Sequence, residues 1–288
     1  MSVAVMTDSN SGITQAQSKE LGIFVLPMPF IIDGEVLLED KDFDREDFYQ
    51  KLTGGSDIST SQPAPGSVIE MYDRILEEYD ELVHIPMSAA LSTTYETAHM
   101  LAQDYDGRVQ VVDNRRISIT QRQSALDAAE LARRGWGAAQ IREHLDKTIS
   151  DSVIYALLDT LKYLKKGGRI TPAAAALGTL LQLKPVLIVN GGKLDAFAKA
   201  RTRKQGKSLM VAAIKKDLAE RFHDPEAEHT WLEVVHGACL EDALEMKAEL
   251  EAAFPKTGEI FLDHMSLSIA THVGPGTLGV AATVMLRA

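Results

Sequence analysis

The 288 residues carry 30 Lys and Arg against 41 Asp and Glu, a net charge of −11, which sets most of the surface against a phosphate backbone and excludes nucleic acid as an expected partner. Hydrophobic residues make up 45% of the chain without an apolar run long enough to span a membrane, and the first residues reach Asp8 without the basic flank and apolar stretch of a signal peptide. The single cysteine, Cys239, can form no internal disulfide and sits in no metal-ligand spacing, which suits a reducing cytoplasm, and the length suits two domains, expected over residues 1–150 and 151–288.

Val3-Ala4-Val5-Met6-Thr7 reads as a strand, and the polar loop Asp8-Ser9-Asn10-Ser11-Gly12 leads into a helix over residues 13–21. Asp8 or Ser9 either caps that helix or faces a ligand crevice at the carboxyl end of a parallel sheet. Residues 24–32 read as a strand whose prolines suit an edge, and Asp33-Gly34 turns it into a partner over residues 35–38. The acidic tract 39–47 lacks the glycine and terminal glutamate of a calcium loop. It reads as a solvated face entering a helix over residues 45–52. Thr60-Ser61-Gln62-Pro63-Ala64-Pro65-Gly66-Ser67 is a proline-stiffened loop that either holds Thr60 and Ser61 in a pocket or is a turn with Ser67 as cap.

Next, Glu81-Leu82-Val83-His84-Ile85 reads as a strand, followed by the hydroxyl-rich loop 86–94 and a helix over residues 95–103. Helix starts offer unpaired N–H groups and a positive dipole end, so Ser88, Ser92, Thr93 and Thr94 can join them in holding an anion through neutral donors. Equally, Ser92 or Thr93 forms a capping box with Glu96. A strand over 108–113 and helices over 120–133 and 138–149 complete four strand-then-helix units, which argues for a parallel sheet with helices on both faces.

Past residue 150 the pattern changes. A strand over 153–157 precedes a short helix ended by Gly167-Gly168, and Thr171-Pro172 starts another expected to run to residue 183. Asn190-Gly191-Gly192 joins two strands as a hairpin. The run 199–207, with Lys165, Lys166 and Arg169, reads as a basic patch for an acidic or phosphorylated partner, or as a solvated hairpin end. Helices over 208–222 and 240–254 flank a strand over 230–236, and residues 259–263 are strand-like. In His272-Val273-Gly274-Pro275-Gly276, Gly274 and Gly276 let backbone approach a ligand as a possible pocket loop, and His272 can donate to an anion.

Together, Thr60-Ser61-Gln62-Pro63, the loop Ser88 to Thr94, Gly167-Gly168-Arg169-Ile170, Arg201-Thr202-Arg203 and the H-x-G-P-G segment at His272 resemble the DegV family over essentially the whole chain. The resemblance implies an α/β protein with an N-terminal three-layer α/β/α domain built on a parallel sheet and a C-terminal two-layer domain with a mixed sheet. It implies a bacterial protein that is not itself an enzyme, has no catalytic residue, metal or cofactor, and buries a long-chain fatty acid such as palmitate or oleate. Such a protein is the substrate-presenting subunit of an ATP-dependent fatty acid kinase feeding phospholipid synthesis, with at most transient membrane contact. Carried across by position, the carboxylate ligands are Thr60, Ser61, Ser92, Thr93 and His272, and the arginines facing the kinase are Arg169 and Arg201. One departure stands out: Thr93 occupies the glycine position of the family's L-S-G-T loop, which puts the placing of Ser92 in doubt.

Two other readings compete. A serine-dependent ester or acyl hydrolase would use Ser92 or Ser61 as nucleophile and His272 as base, yet the chain has neither a G-x-S-x-G elbow nor, beyond Asp263, an obvious carboxylate partner for His272. A phospho-metabolite sensor would use the patch around Arg201 and Arg203.

Overall fold

The computed structural model describes residues 1–177 and 183–286, and the chain divides into two compact units. The first comprises Met1–Ile149 with Ser266–Ser268, the second Ser150–Met265 with Ile269–Ala288.

In the first unit the elements run β1 (Val3–Asp8), α1 (Gln15–Leu21), β2 (Ile23–Leu26), β3 (Pro29–Ile32), β4 (Glu35–Leu38), α2 (Arg45–Gly54), β5 (Ile58–Thr60), α3 (Pro65–Leu76), β6 (Glu81–Ile85), α4 (Thr94–Ala102), β7 (Val109–Val111), α5 (Ile119–Arg133) and α6 (Ala138–Lys147). Strands β2, β1, β6 and β7 form a parallel sheet in that order. Its strands are buried on both faces, as parallel strands covered by helices must be. Val68, Tyr72 and Ile75 of α3, with Ala98 and Ala102 of α4, pack against Ala4, Met6, Leu82, Val109 and Val111. Helix α5 reaches the opposite face, where its Gln121 bonds Thr7. The fully buried His84 meets the Tyr72 hydroxyl at 2.7 Å, and burial pushes the histidine pKa down to about 3, so it stays neutral.

The stretch read as one strand over residues 24–32 is two. It divides at Pro27: β2 joins the parallel sheet, while β3 pairs antiparallel with β4 and β5 in a separate three-stranded sheet. Pro27 and Pro29 have no N–H to continue a ladder.

The second unit contains β8 (Ser152–Leu157), α7 (Lys162–Gly167), α8 (Pro172–Leu177), β9 (Lys184–Val189), β10 (Asp195–Ala200), α9 (Arg203–Glu220), β11 (Thr230–His236), α10 (Leu240–Ala253), β12 (Phe261–His264) and β13 (Leu278–Val284). Helix α11 (Leu267–Val273) begins in the first unit and continues in the second. The sheet order is β10-β9-β8-β13-β11-β12, with β11 and β12 parallel and the other neighbours antiparallel. Met210, Ile214 and Leu218 of α9 and Met246 and Leu250 of α10 bury against Tyr155, Leu157, Leu232, Val234 and Val280. Helix α8 starts where Thr171-Pro172 foretells, with Thr171 Oγ1 accepting from Ala174 N; residues 178–182 of the longer expected helix lie outside the described residues.

Two members of the basic run are absorbed by the fold, while Lys199, Arg201 and Lys204 stay exposed. Arg203 donates to Asp159 at 2.8 Å, Asp242 at 2.6 Å and the Gly276 carbonyl at 2.8 Å, and the buried Lys207 pairs with Asp242 and Glu245. A phosphate would have to compete with these carboxylates. That removes Arg203 from the free patch the sequence suggests.

Candidate functional site

In the first unit β5 ends at Thr60, opposite Phe30 of β3, and the Ser61 amide continues the ladder to the Pro29 carbonyl. Ser61 Oγ donates to the Gln62 carbonyl at 2.8 Å. Pro65 opens α3 behind Ala64, so Ser67 lies inside the helix and is not its cap. The Gln62 side chain carries the decisive contact: its Oε1 accepts from Thr93 Oγ1 at 2.6 Å and Thr97 Oγ1 at 3.2 Å. The two hydroxyl-bearing loops are therefore tied together by one amide. Sequence reasoning misses Gln62, although its place between Ser61 and Pro63 is the available signal.

Thr93 sits at φ −80°, ψ 7°, a conformation open to any residue, so replacing the family's glycine strains nothing here. It makes no capping bond, and the capping box with Glu96 does not form. Ser92 Oγ instead lies 2.8 Å from Thr94 Oγ1 and accepts from the Thr94 amide. A cleft of about 670 Å³ borders Ser61 and Gln62, lined by Leu26, Pro29, Val36 and Met71 with Lys41 and Arg74 among its charged residues.

Two carboxylates behind these loops depart from the sequence expectation. Helix α1 is capped by Thr14 in a capping box with Gln17, which leaves Asp8 free of that task. The fully buried Asp8 accepts from the amides of Asn10 and Met87 and from the side chains of Asn10 and Gln121, tying the end of β1 to the loop after β6. Burial raises its pKa against the pull of those bonds. Glu39, expected on a solvated face, is 5% exposed; it accepts from Ser9 Oγ at 2.9 Å and from the Leu267 amide. Burial pushes its pKa up to about 7, outweighing the hydrogen bonds from Leu267 and Ser9.

In the second unit His272 occupies the last turn of α11, its ring lying directly against Gly167, where a Cβ would overlap it. Burial, and then the charge of Arg169, push the His272 pKa down to about 4, so at neutral pH it is an uncharged donor. Arg169 Nη1 donates to the Gly167 carbonyl at 2.6 Å, whereas Arg201 is exposed. Gly274 and Gly276 both have positive φ, 80° and 75°, and their missing side chains make room for the Tyr163 ring and the Asp159 carboxylate. Asp263 accepts from the His264 amide. Thr60, Ser61, Ser92 and Thr93 thus gather in one unit, and Arg169, His272, Gly274 and Gly276 in the other.

The DegV family model, described as "Uncharacterised protein, DegV family", matches residues 2–284. The chain belongs to the DegV family. A DegV domain-containing protein of Deinococcus radiodurans is 34% identical over 287 residues, covering 98% of each chain, and one of Listeria innocua is 32% identical with the same coverage. Among solved structures, a fatty-acid-binding DegV family protein of Thermus thermophilus superposes with a TM-score of 0.90 at 30% identity, covering 99% of this chain and 100% of its own. DegV of Bacillus subtilis, a fatty acid binding protein, gives 0.87 at 27% identity, covering 99% of both. The parallel and mixed sheets are those of this family, and among the described residues no helix is long and apolar enough to cross a membrane.

Proposed function

We propose that this protein binds a long-chain fatty acid and presents its carboxylate to an ATP-dependent kinase for acyl-phosphate formation. The carrying observation is the Gln62 side chain, which ties the Thr60-Ser61 loop to the Ser92-Thr93 loop through the hydroxyls of Thr93 and Thr97, in a family whose Thermus thermophilus and Bacillus subtilis members bind fatty acids. Thr60, Ser61, Ser92 and Thr93 hold the carboxylate, and the family resemblance implies neutral His272 as a further ligand. Neutral donors of this kind hold it without a strong ion pair, which leaves its oxygens reactive toward a phosphoryl group. Each buried methylene of the tail adds about 0.8 kcal/mol, so generic aliphatic surface supplies most of the affinity. Arg201 and Arg169 face the kinase, and Gly274 and Gly276 shape the pocket loop.

The hydrolase reading has less support. An imidazole with a pKa near 4 is a weak base at neutral pH, and the Ser92 and Ser61 hydroxyls are engaged with Thr94 and the Gln62 carbonyl.

Native mass spectrometry of the purified full chain, before and after incubation with oleate or palmitate, tests the proposal. A near-stoichiometric fatty acid is expected, and Ser92→Ala with His272→Ala should weaken binding by about 100-fold to 10,000-fold, two charge-directed donors at roughly 1.5–3 kcal/mol each. Unchanged affinity in that double variant removes the carboxylate assignment. Arg201→Ala should retain lipid while acyl-phosphate formation with the kinase falls.

A further inference from the structure

Helix α11, which carries His272, has 7 residues, too few to hold together by itself in water, so what grips its ends decides where the histidine stands. Its last turn is held by the glycine loop: the Gly274 amide donates to the Ala270 carbonyl at 2.8 Å, and Thr277 Oγ1 to the Val273 carbonyl at 3.1 Å. Its first turn is held by Glu39. The Leu267 amide donates to Glu39 Oε1, with a weaker bond from the Ser268 amide, and Ser9 Oγ donates to Oε2 at 2.9 Å. Ser9 Oγ accepts in turn from the Met28 amide at 3.0 Å, and the Glu39 amide donates to the Met28 carbonyl at 3.1 Å, so Glu39 is fixed at both its backbone and its carboxyl. Residues Ser266–Ser268 fold with the first unit, the one that holds Glu39.

This grip has its own route to solvent. A cleft of about 200 Å³ borders Glu39, lined by Ser9, Ser266 and Leu267, with Asp40, Asp44 and Arg45 as its other charged residues. Asp40 accepts from the Gln15 amide and Asp44 caps α2, while Arg45 favours an ionised Glu39. Asp8, beside Ser9, turns its carboxylate to Asn10, Met87 and Gln121, and His272 at the far end of the helix is uncharged at neutral pH. The cleft has room for several waters, so Glu39 can exchange its proton without the unit unfolding. Protonated, its carboxyl is a neutral acceptor for Leu267 that suits a buried seat. Ionised, it places a charge in that seat, and solvation in the cleft relieves the charge at the expense of the bonds to α11. Burial raises the Glu39 pKa to about 7 in the gripped state, so the grip is firm at low pH and loosens as pH rises toward and past 7.

We propose that Glu39 is a positioning residue for His272: its protonated carboxyl clamps the start of α11, and its ionised form releases that start and lets the histidine leave its seat against Gly167. The clamp stands on the bonds at Glu39, whereas its effect on lipid rests on the fatty-acid reading, in which His272 is a carboxylate ligand. Mildly acidic conditions then retain the lipid and alkaline ones release it.

The test follows hydrogen exchange of the α11 amides, corrected for intrinsic rate, and the release rate of bound oleate, in the full-length natural protein, Glu39→Gln and Glu39→Ala. Glutamine keeps an acceptor for Leu267 and cannot ionise; alanine removes the acceptor. Dividing the natural protein's rates by those of Glu39→Gln at the same pH cancels the titration of the lipid and of other carboxyls. Both ratios are expected to rise about 30-fold from about pH 5.5 to 8.5, with Glu39→Ala fast at both ends. A flat exchange ratio overturns the clamp. An exchange ratio that rises while the oleate ratio stays flat overturns the positioning of His272. Protein that takes up no oleate removes the fatty-acid reading, and the imidazole nitrogen shifts of His272 then decide: shifts that move over this range in the natural protein and not in Glu39→Gln sustain the proposal, and unmoved shifts overturn it. If Glu39→Ala does not fold, the comparison of the natural protein with Glu39→Gln still carries the test.

Discussion

The hydroxyl cluster of the first unit and the glycine cluster of the second are built on opposite principles. Around Gln62 the chain is held by directional bonds between short polar side chains, each replaceable at modest cost because water can take over an exposed partner. Around Gly167, Gly274 and Gly276 it is held by contact, with rings and a carboxylate seated where side chains would otherwise be. Motifs of similar appearance in the sequence thus carry different tolerances. The polar loops can drift, as Thr93 in place of glycine illustrates, while the packed ones cannot.

The sharpest way to break this contrast is Gly274→Ala. The new Cβ combines an unfavourable positive φ with overlap of the Tyr163 ring, so a loss of about 3–4 kcal/mol is expected, read as a thermal midpoint lower by roughly 5–10 °C. Unchanged stability would mean that α7 yields freely and that the glycine cluster is not held by contact.

Glu39→Gln probes the polar side. A carboxyl whose folded pKa lies above its unfolded value of 4.5 binds more protons when folded, so its contribution is full below about pH 4.5 and is lost as pH rises toward 7. Between those limits the stability of the natural protein relative to Glu39→Gln should fall by about 3 kcal/mol. Taking the difference between the two proteins cancels His84 and His272, whose lowered pKa values act with the opposite sign. A flat difference across that range would place Glu39 in contact with solvent.

The smallest effect is expected from Thr93→Val, which loses one hydrogen bond to Gln62 while Thr97 keeps the other, at about 1 kcal/mol. A loss as large as that of Gly274→Ala would erase the distinction between the two regions.

Alternation of short apolar runs with helical patterns is enough to read the parallel sheet, because its strands are local and its helices intervene in order. Asn190-Gly191-Gly192 and Asp33-Gly34 are legible as hairpins for the same reason: turn chemistry acts over a few residues. The motif loops are equally visible as residues, and the positive φ of Gly274 and Gly276 is one that their being glycine permits. What their neighbours would be is not. Glu39 sits within an acidic tract, and only the arrival of Leu267, 228 positions later, turns it from a surface charge into a buried acceptor. Arg203 and Lys207 read as a free patch until Asp159, Asp242 and Glu245 come to meet them. Sequence by itself determined the local backbone, the charge and the kinds of donor present. Tertiary structure alone decided which of those groups lose their water, because burial and pairing across long separations set both the pKa of a carboxyl and the partner of a hydroxyl.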